Sequence, residues 1–150
     1  MRSLRPLICT AAVAAALLWA RPAAAAPNPY VELGLGADYL ASPPLGAFLL
    51  TLAGDNRVSQ HLSWGGRIGL LVLTDPSRFG VPVDVRVRGH FGLIYVDGLV
   101  GPWIIFRDTD PLRFHAGIGF GIATRRVTVG LEVAYLNPTS MVGLRVAFPL

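Results

Sequence analysis

The sequence contains no lysine, so all 13 of its basic residues other than histidine are arginines. Its one cysteine, Cys9, lies close to the N-terminus, in a segment that we predict to be removed. Without it, the rest of the chain can form neither a disulfide nor a thiolate metal site. After the N-terminal segment, no apolar run approaches the about 20 residues that a membrane-spanning helix needs. No such run is present although 53% of the residues are hydrophobic. The chain is therefore either a soluble β protein or a barrel that faces lipid.

The N-terminal segment has the layout of a secretory signal peptide. Arg2 and Arg5 give it a positive start, and an apolar run over residues 7–20 and a tract of small residues follow. The apolar run is too short to anchor the chain in a membrane as a helix. We predict cleavage after Ala24 or Ala25, so that residues 1–25 form the signal peptide.

The remaining residues, 26–150, are enough for one domain and not for two. The net charge of +4 refers to the whole chain. Three of the 13 arginines fall in the signal peptide, which leaves ten against nine acidic residues and a nearly neutral mature protein. Nucleic-acid binding calls for a basic patch or stripe. We therefore predict no nucleic-acid partner, and no motif indicates a cofactor.

Apolar residues alternate with glycine or polar residues along most of the chain, most regularly over residues 113–148. Because side chains alternate across a strand with a period of two, each such run predicts a strand with one apolar face. The runs predict an all-β fold of eight antiparallel strands, joined in up-and-down order. The first five predicted strands cover residues 30–40, 47–53, 61–74, 81–93 and 99–106, and the last three divide residues 113–148 at Arg125-Arg126 and at Asn137-Pro138.

Turn chemistry sets the predicted connections. Asp97-Gly98 is typical of a two-residue hairpin turn, because its glycine accepts a positive φ. Pro102 cannot donate to a ladder, so the sequence leaves open whether residues 99–106 are a strand. The predicted connections at one end are residues 41–46, 75–80, 107–111 and 137–140, and those at the other end are residues 54–57, 97–98 and 125–126.

The polar faces indicate a closed barrel whose polar side is inward. They carry many glycines, which suit a narrow eight-stranded interior, and charges of both signs, which can pair across a lumen. The apolar faces of the regular strands lack charge, as a lipid boundary requires. We therefore predict a transmembrane barrel with a polar lumen network of Glu32, Asp38, Arg67, Asp84, Arg86, Arg88, His90, Arg113, His115, Glu132 and Arg145.

In these features the chain resembles the small eight-stranded outer-membrane β-barrels of Gram-negative bacteria. Its last strand is similar to the assembly signal of that family, with Gly143, Val146 and Phe148 at the matching positions, although Pro149-Leu150 follow. The resemblance implies an outer-membrane location, contact with outer-membrane lipid and lipopolysaccharide, and recognition by the assembly machinery. It implies a structural or weakly pore-forming protein rather than an enzyme, with both termini in the periplasm.

Two other functions remain open from the sequence. His61 and Ser63 are similar to the His-x-Ser pair of outer-membrane lipid A deacylases, in which histidine is the base and serine the nucleophile. A soluble periplasmic barrel with an apolar ligand is the other alternative. It requires Leu131 and Ile118 to be shielded, and Arg145 and Glu132 to be exposed to solvent. Three further residues, His90, His115 and Asp84, lack the spacing of a metal site, and none is predicted.

Overall fold

A computed structural model describes residues 30–150, so the predicted signal peptide lies outside the described part of the chain. No helix in residues 30–150 is long and apolar enough to cross a membrane. The described residues form eight strands: β1 (Tyr30–Ala41), β2 (Pro44–Arg57), β3 (Leu62–Thr74), β4 (Ser77–Phe91), β5 (Ile94–Ile105), β6 (Leu112–Ala123), β7 (Thr128–Leu136) and β8 (Thr139–Pro149).

The strands form one closed barrel in which each strand pairs with the next and β8 pairs with β1. All pairs are antiparallel, which confirms the predicted eight-stranded, up-and-down barrel. Closure removes the unpaired strand edges that an open sheet would leave. We call the end where β1 begins and β8 finishes the terminus end, and the opposite end the proline end.

The proline end has much shorter connections than the sequence predicts. Three of its turns consist of two residues each, Ser42-Pro43, Asp75-Pro76 and Asn137-Pro138. The predicted loops 41–46 and 75–80 are too long, because the residues after each proline already pair in the ladder. The connection over residues 106–111 is the longest one in the described barrel.

The predicted hairpin turn at Asp97-Gly98 is wrong. Both residues lie inside β5, where Asp97 pairs with Arg88 and Gly98 with Val87 of β4. The turn lies earlier, at residues 92–93, where Gly92 has a φ of 67° that suits glycine. Cross-strand pairing of the whole segment therefore overrides the local turn signal.

The predicted turn at residues 54–57 is also wrong, because these residues complete β2 and the connection to β3 follows at residues 58–61. By contrast, the connection between β6 and β7 includes Arg125-Arg126, as predicted. The segment that the sequence left open, 99–106, belongs to β5 as far as Ile105.

Two prolines interrupt the ladder in one part of the wall. The pairing of β3 with β4 stops for two positions next to Pro82, and that of β4 with β5 stops for two positions next to Pro102. Proline has no N–H to donate, so each interruption marks a lost backbone hydrogen bond. The strands keep the same register on both sides of each gap, which is how β5 tolerates Pro102.

The two faces of the wall differ sharply in polarity. On the outside, Ile118 is 60% exposed and Leu131 43%, whereas on the inside Glu132 is only 1% exposed. Large apolar side chains are exposed on every strand. This packing is the reverse of what a soluble barrel with an apolar ligand requires, so that alternative is wrong.

Candidate functional site

The candidate site is the lumen, which side chains fill from end to end in two chemically different halves. The half toward the proline end is an apolar plug of packed side chains. We define this plug as Leu40, Leu45, Ala47, Leu49, Leu71, Leu73, Trp103, Ile105, Ala134, Leu136 and Met141. The sequence indicated only part of it, since the two faces of β2 are both apolar and could not be told apart.

The half toward the terminus end holds charged side chains in two clusters. The central cluster, next to the plug, consists of Asp38, Arg67, Asp84, His115, Glu132 and Arg145. The terminal cluster, nearer the chain ends, consists of Glu32, Asp55, Arg86, Arg88 and Asp97. Alternation along the strands places all of these side chains on the inner face.

Arg67 and Arg145 hold the central cluster together. Arg67 donates from Nη1 to Glu132 Oε2 at 2.7 Å and from Nη2 to Asp84 Oδ2 at 2.8 Å. Arg145 donates from Nε to Glu132 Oε2 at 3.1 Å and from Nη1 to Asp38 Oδ1 at 2.6 Å. Glu132 therefore bridges two arginines from different strands, β3 and β8, across the lumen.

Asp84 connects the central cluster to the plug. Its Oδ1 lies 2.7 Å from His115 Nδ1 and accepts a hydrogen bond from Trp103 Nε1 at 3.1 Å. The rings of Trp103 and His115 stack with their centroids 4.5 Å apart. A buried tryptophan commonly uses its N–H in this way, so Trp103 packs in the plug while its polar atom belongs to the ion network.

In the terminal cluster, two arginines each grip one aspartate with two hydrogen bonds. Arg86 donates to Asp55 at 3.1 and 2.7 Å, and Arg88 donates to Asp97 at 2.7 and 2.8 Å. Both arginines also bind Glu32, which lies between them. Such two-pronged pairs are stronger and more directional than single hydrogen bonds. They link β4 to β2 and β5, and Glu32 adds β1 to the cluster.

The structure places nine of the eleven predicted lumen residues in these clusters and two elsewhere. Arg113 lies at the proline end, where it donates to Asp108 at 2.6 Å, and Arg78 binds the other oxygen of Asp108 at 2.8 Å. His90 lies toward the terminus end, where its Nε2 is 3.1 Å from the hydroxyl of Ser63.

The sequence does not indicate two members of the terminal cluster, Asp55 and Asp97, because local turn chemistry predicts that both lie in turns. For Asp97 the sequence does hold a clue. Tyr95, Asp97 and Leu99 occupy alternate positions of one strand, and all three face inward. Trp103 was missed as a ligand of Asp84 because the side-chain partner lies on a neighbouring strand.

His61 and Ser63, the predicted catalytic pair, do not form a dyad. His61 lies exposed in the connection between β2 and β3, where its backbone N–H donates to the hydroxyl of Ser59 at 3.3 Å. Ser63 is buried and bonded instead to His90, as described above. In residues 30–150, no group of three or more His, Asp or Glu side chains is placed to hold a metal ion.

The predicted assembly-signal residues lie on β8, and the structure gives Gly143 a packing role. Gly143 pairs with Asp38 of β1, and the Asp38 carboxylate lies over it so closely that a Cβ would overlap it. Phe148 is on the outer face and 44% exposed. Val146, also on β8, pairs with Leu35 of β1.

The space between the two clusters is a cavity of about 40 Å³. That volume is enough for a few water molecules and far below the size of an aqueous channel. Ion pairs border the cavity toward both ends, and the apolar plug follows beyond the central cluster. The lumen is therefore packed rather than open.

No family model matches the sequence, and no curated protein sequence matches it. Solved structures do match. A de novo designed transmembrane β-barrel is 13% identical, with a TM-score of 0.64 over 83% of this chain and 98% of its own. The solution NMR structure of the de novo designed TMB2.3 is 10% identical, with a TM-score of 0.57 over 84% of this chain and 98% of its own.

A natural protein is also similar: the Yersinia pestis outer membrane protein Ail in a phospholipid bilayer nanodisc. It is 10% identical, with a TM-score of 0.52 over 81% of this chain and 100% of its own. At these identities the similarity is one of fold. The chain has the fold of an eight-stranded transmembrane β-barrel, as the sequence predicted.

Proposed function

We propose that the protein is an integral outer-membrane β-barrel with a structural role and a closed lumen. The observation that carries this proposal is the distribution of side chains across the wall. The charges of the two clusters are buried inside, and large apolar side chains are exposed on every strand outside. Soluble monomers rarely expose contiguous apolar patches larger than a few hundred Å², so a continuous apolar wall favours contact with lipid.

The lengths of the strands agree with this proposal. They range from 9 residues in β7 to 15 in β4, and a strand of about 9–11 residues crosses the hydrocarbon core when tilted. Apart from the gaps next to Pro82 and Pro102, closure pairs the backbone groups of neighbouring strands, as a lipid environment demands. The predicted signal peptide and the assembly signal on β8 favour the outer membrane, with its lipid, lipopolysaccharide and assembly machinery as partners.

The filled lumen favours a structural role over a pore. A conducting path would have to pass both ion clusters and then the apolar plug, with Leu71, Trp103 and Ile105 each about 1% exposed. We therefore expect planar bilayers that contain the purified protein to show no discrete conductance steps. Repeated steps of uniform size would contradict the closed lumen and favour the weakly pore-forming alternative.

The location is tested by expressing the full chain in a Gram-negative host and separating its membranes. We expect a band in the outer-membrane fraction that migrates faster in detergent gels when unboiled than when boiled. A chain recovered in the periplasm without detergent would contradict the proposal. Mass analysis of the N-terminus in the same experiment tests cleavage after Ala24 or Ala25.

If the apolar wall faces lipid, the cost of an outward-facing arginine on β6 should depend on its depth in the bilayer. An arginine facing the middle of the bilayer costs about 2–4 kcal/mol, but only about 0–1 kcal/mol near an interface. Ile118→Arg should therefore destabilise the barrel by about 2–4 kcal/mol, and Leu112→Arg by about 1 kcal/mol or less. Both residues are outward on the same strand, 60% and 62% exposed, and Leu112 begins it. Urea unfolding from phospholipid vesicles measures both values, and equal losses would argue against a membrane at this face.

A second candidate function is a lipid-modifying hydrolase that uses Ser63 with His90. The 3.1 Å contact between Ser63 Oγ and His90 Nε2 favours it, because a nucleophile and its base need that separation. Purified protein would release fatty acid from outer-membrane lipid, and Ser63→Ala would abolish the release. Unchanged lipid after incubation with the wild-type protein would reject this candidate and leave the structural role.

A further inference from the structure

The two ion clusters do not contact each other directly through any ion pair among the described residues, and the cavity of about 40 Å³ lies between them. Glu132 and Arg145 line it from the central cluster, and Glu32 and Arg88 line it from the terminal cluster. Its wall also includes Thr128 of β7, Thr51, Tyr95 and apolar side chains such as Leu99. The cavity has a mixed wall that offers several polar partners, and it is large enough for water.

Two residues that line this cavity each carry a polar atom without a hydrogen-bond partner within residues 30–150. These atoms are the hydroxyl of Thr128, a residue 3% exposed, and Nη2 of Arg145, whose other nitrogens already bind Glu132 and Asp38. Leaving a buried polar group unpaired costs about 1–3 kcal/mol, and more when the group is charged. Buried water commonly satisfies such groups.

We propose that ordered water occupies this cavity, accepts a hydrogen bond from Arg145 Nη2, bonds to the Thr128 hydroxyl and joins the two ion clusters into one network. Both side chains belong to the last two strands, β7 and β8, and Glu32 belongs to β1. The water therefore lies against the seam where β8 meets β1 and closes the barrel.

Water fits this cavity better than an ion of either sign. Its wall carries carboxylates and guanidinium groups together, so a cation would meet Arg88 and Arg145, and an anion would meet Glu32 and Glu132. A water molecule can accept from a guanidinium and donate to a carboxylate at the same time. The proposal concerns the lumen only, so it stands whether or not the barrel resides in the outer membrane.

Substitution of Thr128 tests the proposal, because the midpoint of thermal unfolding changes in opposite directions for a hydrated and for a dry cavity. Thr128→Val keeps the shape of the side chain and removes the hydroxyl, whereas Thr128→Ser keeps the hydroxyl. If water is bound, Thr128→Val takes away one of its partners and lowers the midpoint of thermal unfolding by a few degrees, and Thr128→Ser stays closer to the wild type. If the cavity is dry, Thr128→Val removes an unpaired buried hydroxyl and raises the midpoint, which would overturn the proposal.

Tyr30 provides the necessary control, because its hydroxyl lies near enough to the Thr128 hydroxyl to act as a weak partner for it, although the two do not meet the geometry of a full hydrogen bond. Tyr30→Phe should leave the effect of Thr128→Val unchanged. If Tyr30→Phe lowers the midpoint as much as Thr128→Val, and the double variant lowers it no further, Tyr30 satisfies Thr128 and the water site is refuted.

A direct readout completes the test in the folded barrel in detergent micelles. We expect nuclear Overhauser cross-peaks between the Thr128 methyl group and water, with the sign of long-lived bound water and no change on adding sodium chloride. Absent cross-peaks would refute the water site. If the Thr128 resonance shifts in a saturable way with sodium chloride, the cavity binds an ion and the water site is refuted.

Discussion

Replacing Glu132 with alanine is expected to lower the free energy of unfolding by about 3–5 kcal/mol. Glu132 is 1% exposed and accepts hydrogen bonds from Arg67 and Arg145. Removing it leaves two guanidinium groups buried without one of their partners. The lost free energy of unfolding therefore comes from buried arginine charge that is no longer neutralised. It exceeds what the packing of one glutamate side chain would contribute.

The measurement is urea unfolding of the barrel folded in vesicles, followed by tryptophan fluorescence and by heat-modified migration. Asp110→Ala is the matched control, because Asp110 is a carboxylate exposed in the loop of residues 106–111. We expect the control to change the free energy by about 0.5 kcal/mol or less. If Glu132→Ala proves as stable as this control, the central cluster does not hold the barrel together.

The second large effect is expected at Gly65, where alanine should cost about 3 kcal/mol or more, at the upper end of the range for overpacking. A Cβ on Gly65 would overlap the backbone oxygen of Gly54 and lie 2.6 Å from Asp55 Oδ1. Backbone cannot move aside as a flexible side chain can, and a displaced Asp55 would lose its bonds to Arg86.

The adjacent glycine supplies the control. Gly66 faces outward, and a Cβ there would meet the backbone oxygen of Asp84 at an ordinary 3.5 Å. Gly66→Ala should therefore stay within about 0.5 kcal/mol of the wild type, while Gly65→Ala gives little or no heat-modifiable barrel. Similar yields of folded barrel for the two variants would contradict the close packing of β2 against β3.

The wall of the barrel could be predicted from the sequence because it depends on local alternation. The period of two placed Ile118 outside and His115 and Glu132 inside, and it gave the number of strands. Turn chemistry was less reliable. Asp97-Gly98 favours a tight turn locally, but pairing with β4 along the whole of β5 outweighs that preference.

The pairing within the lumen could not be predicted. Alternation says that Arg67 and Glu132 face inward, but not that they meet, since 65 positions separate them and the tilt of the strands decides their heights. The same limit explains why Ser63 was assigned to nearby His61 rather than to His90 on the next strand. Local sequence determines the face of a side chain, and closure of the barrel determines its partner.

The interruption of the ladder around Pro82 and Pro102 makes Asp84 important for holding neighbouring strands together. Beside those gaps its carboxylate accepts hydrogen bonds from Arg67 of β3 and Trp103 of β5. Side-chain hydrogen bonds therefore connect the strands where backbone pairing is interrupted. Elsewhere the cohesion of the wall comes from its own amides. On this side of the barrel, part of the cohesion comes instead from side chains in the lumen, so we expect local opening of the wall between β3 and β5 to depend on the charge of Asp84 and its partners.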